Sequence, residues 1–204
     1  MLKILCKLSD GDQLVSMNPG ELEIAREAIL ASGVGPVALS YPFVPQNGPG
    51  ADLYTNDCAI ANIVSIMRGR GKHAEVDDIA RKYQRPNMPM TVAELMRGLT
   101  GEGIRSHHRV GALVEDIAHH MRIMREPVIV LVDYPSLPKQ HIQYNGAHYI
   151  LIYGIDTADQ FMYRDPLSQG ELLVMTPQQL ETAMLNDSKN GNQPQQAIYI
   201  LQEE

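Results

Sequence analysis

Pro45–Met67 reads PQNGPGADLYTNDCAIANIVSIM, a loop rich in Pro, Gly and Asn that runs into an apolar segment with Cys58 at the junction. From Cys58 onward, Ile60, Ala61, Ile63, Val64, Ile66 and Met67 leave almost no polar face before the stop at Gly69. A helix that is apolar nearly all round belongs in the centre of a domain. Cys58 at its start would meet unpaired backbone N–H groups and the positive end of the helix dipole, and both favour a thiolate. A lone free cysteine is more often a small core residue, so its meaning depends on what the flanking chain supplies.

Upstream, Leu2 to Lys7 reads as a strand ending at the Asp10-Gly11 turn signal, and Asn18-Pro19 opens a helix that stops at Gly33. Val37 to Leu39 is a short strand, and Tyr41 to Gln46 is extended because each Pro disfavours helix in the residue before it. Downstream, helices are predicted over His73 to Tyr83, from the Thr91-Val-Ala-Glu94 capping box to Gly98, and over Leu113 to Met124. Ile104 to Val110 is extended. Val128-Ile-Val-Leu-Val132 is an unbroken β-branched run of the kind found in a strand buried on both faces. Strands follow over His148 to Tyr153, Phe161 to Arg164 and Glu171 to Met175, then a helix from Thr176-Pro177 through Leu185, a polar and mobile loop over Asn186 to Gln195, and a strand over Ala197 to Leu201. Helices come first and strands after, which predicts an α+β domain with a mainly antiparallel sheet.

Composition limits the function. With 204 residues the chain is short enough for one domain, and 44% hydrophobic with 20% charged residues is ordinary for a globular protein. A net charge of -7 excludes a nucleic-acid backbone as the main partner. The densest basic run, Arg68, Arg70 and Lys72, reads as surface at the end of the Cys58 helix. Two cysteines, Cys6 and Cys58, make no disulfide framework, and Cys6 in a strand-like run reads as core. The N-terminal apolar run is too short for a signal peptide or membrane span, so a cytoplasmic site without membrane insertion is expected, export by a dedicated machine apart.

His148 begins one predicted strand and Asp165 ends the next. If the two strands pair antiparallel, the start of one lies beside the end of the other, and the imidazole and carboxylate become neighbours. An acid that orients an imidazole beside a thiol is the arrangement nucleophilic catalysis needs. Singly, each has a structural explanation: an edge histidine hydrogen-bonding a neighbour, or an Asp-Pro turn. The adjacent pairs His107-His108 and His119-His120 point to different sides of their elements, so no metal site or cofactor is expected. His141 and Asn145 are expected to border a substrate cleft, and Asp133 and Tyr134 either to border it or to cap a strand.

Asp57-Cys58-Ala-Ile-Ala61 through Met67, Pro127 to Asp133, His148-Tyr-Ile-Leu-Ile-Tyr-Gly154 and Arg164-Asp-Pro166, with Gln46 before them, resemble papain-like cysteine peptidases of the bacteriocin-processing, double-glycine leader peptidase type and their stand-alone relatives. The order and the spacing, 90 residues from Cys58 to His148 and 17 from there to Asp165, match that family's Cys, His and Asp. The resemblance implies a papain-like fold, a Cys58 nucleophile, a His148 base and acid, an Asp165 orienter, and Gln46 in the oxyanion hole. It covers Tyr41 to Met175, within a single domain over 1–204 in which residues 1–40 add a strand and helix and 176–204 a final helix and strand. Ala59 replaces the family's usual Gly. Gln46 lies further upstream than usual, and Asp52 holds the nearer place, where a carboxylate would repel an oxyanion; Asn56 is the alternative donor. The implied function is hydrolysis of a peptide or amide bond in a peptide or protein substrate through a thioester. Alternatives are a cell-wall peptidase, amidase or acyltransferase, or an inactive papain-like module within a larger assembly.

Overall fold

The computed structural model describes residues 2–8, 11–17, 35–48, 50–53 and 56–203. The helix expected over Asn18 to Gly33 and the side chain of Cys6 lie outside the described parts. Two compact units make up the chain, Met1–Gly35 and Pro36–Glu204. In the first, β1 (Leu2–Leu8) pairs antiparallel with β2 (Gly11–Met17), with Leu2 opposite Met17 and Leu8 opposite Gly11. Sequence reading finds β1 and the turn but not β2, whose apolar residues are too few to show a period of two.

The second unit is a seven-stranded sheet in the order β4-β9-β5-β6-β7-β8, with β3 also on β6. The strands are β3 (Val37–Ala38), β4 (Ser106–Arg109), β5 (Val128–Asp133), β6 (Ala147–Ile155), β7 (Phe161–Arg164), β8 (Leu173–Met175) and β9 (Ala197–Ile200). Every pairing is antiparallel. Among the described residues the helices are α1 (Cys58–Gly69), α2 (Val76–Tyr83), α3 (Val92–Gly101), α4 (Val114–Met124) and α5 (Pro177–Asn186). The class is α+β.

Both faces of the sheet are covered, which is why β5 carries no polar alternation. Ile129, Leu131, Tyr149, Leu151 and Ile198 pack into one core with α1, α2 and α3. Val128, Val130, Val132, Ile150 and Ile152 pack into the other with α4 and α5. A bulge between Ile152 and Gly154 interrupts the β6–β7 register. A Cβ on Gly154 would lie 2.8 Å from the Val37 carbonyl oxygen, so only glycine lets β3 close on β6 there.

Two expectations are corrected. The Asn186 to Gln195 stretch is anchored rather than mobile, because buried carboxylates require donors and its asparagines provide them. Asn190 Nδ2 donates to Asp133 Oδ1 and Asp187 Oδ1, Asn192 Nδ2 donates to Asp187 Oδ1, and Asn186 Nδ2 donates to Ser136 Oγ. Arg70 is not a surface residue either: its side chain is 9% exposed and pairs with Glu126 at 3.2 Å while donating to the Leu201 carbonyl. That pair ties the end of α1 to the chain entering β5.

α1 is fixed to the sheet by a buried polar bond: Asn62 Nδ2 donates to the Tyr149 carbonyl at 3.0 Å. Asn62→Ala leaves that carbonyl short of a partner and is expected to destabilise the protein by about 1–3 kcal/mol, read as a lower midpoint in chemical denaturation at unchanged slope.

Candidate active site

Cys58 is the first residue of α1, and its first turn carries no acidic residue and no side-chain cap. The helix field at the sulfur is therefore uncancelled within that turn. Asp57, the preceding residue, is fully buried. Burial pushes its carboxyl above the usual range, against a hydrogen bond from Gln84 and together with the charge of Asp77.

His148 is the second residue of β6, and Asp165 follows β7 directly. Leu151 lies opposite Arg164 in the ladder, which brings the start of β6 to the end of β7. His148 Nε2 is 2.7 Å from Asp165 Oδ1. The carboxylate is held by its own turn: Leu167 N–H donates to Oδ1 at 2.8 Å, and Ser168 N–H donates to the Asp165 carbonyl at 2.9 Å. Oδ2 makes no hydrogen bond among the described residues, so this buried anion depends on the imidazole for countercharge.

With Nε2 engaged, Nδ1 is the ring nitrogen left free to serve Cys58, which lines the same cavity. Burial acts to lower the His148 pKa. The interactions with Cys58 and Asp165 outweigh it and push the imidazole up to about 9.

Cys58, His148, Gln46 and Asn56 line one cavity of about 230 Å³. Gln46 is buried there, its N–H donating to the Pro166 carbonyl at 3.0 Å and its Oε1 without a partner. The upstream glutamine thus sits beside the turn that follows Asp165, despite its distance in sequence from Cys58. Asn56 has a left-handed backbone with φ 66°, and its Nδ2 donates to the Asn87 carbonyl at 3.5 Å. Asp52 is exposed, accepts from Gly48 N–H at 3.1 Å and does not line the cavity. A second cleft of about 670 Å³ also reaches Cys58, walled by Met90, Leu131, Asn192 and Gln196 among others.

Other expected cleft residues are placed elsewhere. Ile142 and Tyr144 line the smaller cavity, whereas His141 faces Glu171 at 3.2 Å and Asn145 lines neither cleft. Asp133 accepts from Ser136 and Asn190 and serves its turn. The histidine pairs split: His108 bonds Gln196 and His120 bonds the Ile200 carbonyl, while His107 and His119 are exposed. Tyr134 is fully buried against the His148 ring, a contact that only the β5–β6 pairing creates.

No protein-family model matches the chain, and no curated protein matches it. Solved structures do. A protein from Bacillus anthracis described as a C39-like peptidase superposes with a TM-score of 0.61 at 14% identity, covering 84% of this chain and 100% of that one. This is the double-glycine leader peptidase fold. The peptidase domain of Streptococcus ComA, a bifunctional ABC transporter involved in quorum sensing, matches with a TM-score of 0.53 at 17% identity, covering 80% and 100%. A double-glycine motif protease from an AMS/PCAT transporter, solved with its leader peptide, matches with a TM-score of 0.55 at 11% identity, covering 83% and 99%.

The leader peptidase fold accounts for the spacing of the site: the helix that begins at Cys58 on one side of the sheet, and the ends of two paired strands beside its first turn. What the sequence did not disclose within this fold is the aromatic contact on His148 and the asparagine-rich wall of the larger cleft. Tyr134 directly follows a buried strand, which was its one visible signal.

Cys58→Ala removes one of the two groups that raise the imidazole, so the His148 pKa is expected to fall below about 9. Titration of the imidazole by NMR in wild type and variant checks this. An unchanged midpoint would remove Cys58 as the cause.

Proposed function

We propose that this protein is a cysteine peptidase that cleaves a peptide or amide bond with Cys58, His148 and Asp165. The supporting observation is the single cavity lined by Cys58, His148 and Gln46, with the far side of the imidazole held on Asp165 at 2.7 Å. Cys58 Sγ attacks the scissile carbonyl carbon. The oxyanion receives hydrogen bonds from the Cys58 backbone N–H and the Gln46 amide, with Asn56 at the cavity wall as the second candidate donor. The imidazolium of His148 gives its proton to the leaving amine, and a thioester remains on Cys58. Water then attacks the thioester while His148 takes its proton, and the acid departs. Asp165 keeps the ring in place and stabilises its charge.

The substrate is a peptide, in an extended form that can lie in the clefts that meet at Cys58. No helix among the described residues is long and apolar enough to cross a membrane. Reaction with a thiol-directed probe at mildly acidic pH separates an activated Cys58 from an inert one, and a screen of peptides against cell-wall fragments separates the peptidase from a wall hydrolase.

Cys58→Ala and His148→Ala are each expected to abolish hydrolysis with the fold retained by circular dichroism; hydrolysis by Cys58→Ala would end the proposal. Gln46→Ala is expected to lower kcat by about 10²-fold. Because the imidazolium persists until its raised pKa, kcat/KM is expected to hold through neutral pH and decline as pH rises through about 9.

A further inference from the structure

Tyr134 opens the 3-10 turn after β5 and is completely buried. Its ring meets the His148 ring edge to face, centroids 5.1 Å apart at 81°, and meets Tyr144 at 5.7 Å and 62°. Its hydroxyl accepts from the His141 N–H at 2.8 Å, and its own N–H donates to the Gly146 carbonyl at 3.0 Å. The loop held in this way carries Ile142 and Tyr144, both of which line the cavity at Cys58. The groups that face His148 are Cys58 from α1, Asp165 after β7, and Tyr134 itself.

We propose that Tyr134 is a positioning residue with two separable parts: its ring seals the His148–Asp165 hydrogen bond from water, and its hydroxyl holds the loop that walls the substrate cavity. This rests on the cysteine peptidase reading for its kinetic consequences only. An aromatic ring packed edge to face on an imidazole restricts ring rotation, and excluding water strengthens the charged hydrogen bond beside it. The hydroxyl meanwhile accepts from the His141 N–H of the loop, so that neither group is left without a partner.

The test compares Tyr134→Phe with Tyr134→Leu in the full chain. In wild type and Tyr134→Phe, the His148 Nε2 proton bonded to Asp165 is expected as a low-field NMR resonance in slow exchange with water. In Tyr134→Leu it is expected to broaden away, with kcat falling roughly 10- to 100-fold. Tyr134→Phe instead is expected to speed amide exchange at His141 and raise KM with kcat held. Should Tyr134→Leu not fold, Tyr134→Met makes the same comparison with less change of volume. An intact resonance in the variant lacking the ring overturns the sealing role, and unchanged His141 exchange in Tyr134→Phe overturns the loop role. Both readouts are independent of turnover, so a wild-type protein without peptidase activity would refute the enzymatic reading and leave this one open to decision.

Discussion

One buried amide sets the relation between the two halves of the site. Asn62 stands one turn into the helix that begins at Cys58, and its side chain donates to the carbonyl of Tyr149, the residue after His148. Both partners are sealed in the core. A polar bond in such surroundings is directional where apolar packing is not, so it fixes the rotation and height of the helix relative to the strand. Ser65 adds a second tie from the same helix, donating to the Pro42 carbonyl at 2.6 Å. With the helix set in this way, the sulfur and the imidazole meet although 90 residues separate them.

The surrounding architecture supplies rigidity on the imidazole side. β6 is paired along both edges and covered on both faces, and the Asp165 turn hangs from its neighbour β7. Gln46 joins through the Pro166 carbonyl, so its position is set by the sheet and not by the long loop before Cys58. That is why a glutamine displaced in sequence still reaches the cavity.

Much of this was legible in the residues. The Cys58 helix announced itself by its uninterrupted apolar surface, and β5 by its β-branched run, because burial on every side leaves no polar positions to blur the pattern. Phe161–Arg164 is read to the residue, since Asp165-Pro166 ends it sharply. Less visible were features made by tertiary contact: β2, which takes its partner from a hairpin turn; Arg70, whose buried pairing with Glu126 spans distant segments; and the Tyr134 contact with His148. The asparagines after α5 looked like a loose connection because polar composition alone does not reveal that Asp133 and Asp187 lie beneath them.

The order of the sheet carries one more implication, for the making of the protein. β9, the last of its strands to be synthesised, lies between β4 and β5, which precede it. Until Ala197–Ile200 arrives, β4 has no neighbour and one edge of β5 stays open. Gln196, which closes part of the larger cleft, enters with it. Completion of the groove therefore waits on a late, sequence-distant insertion.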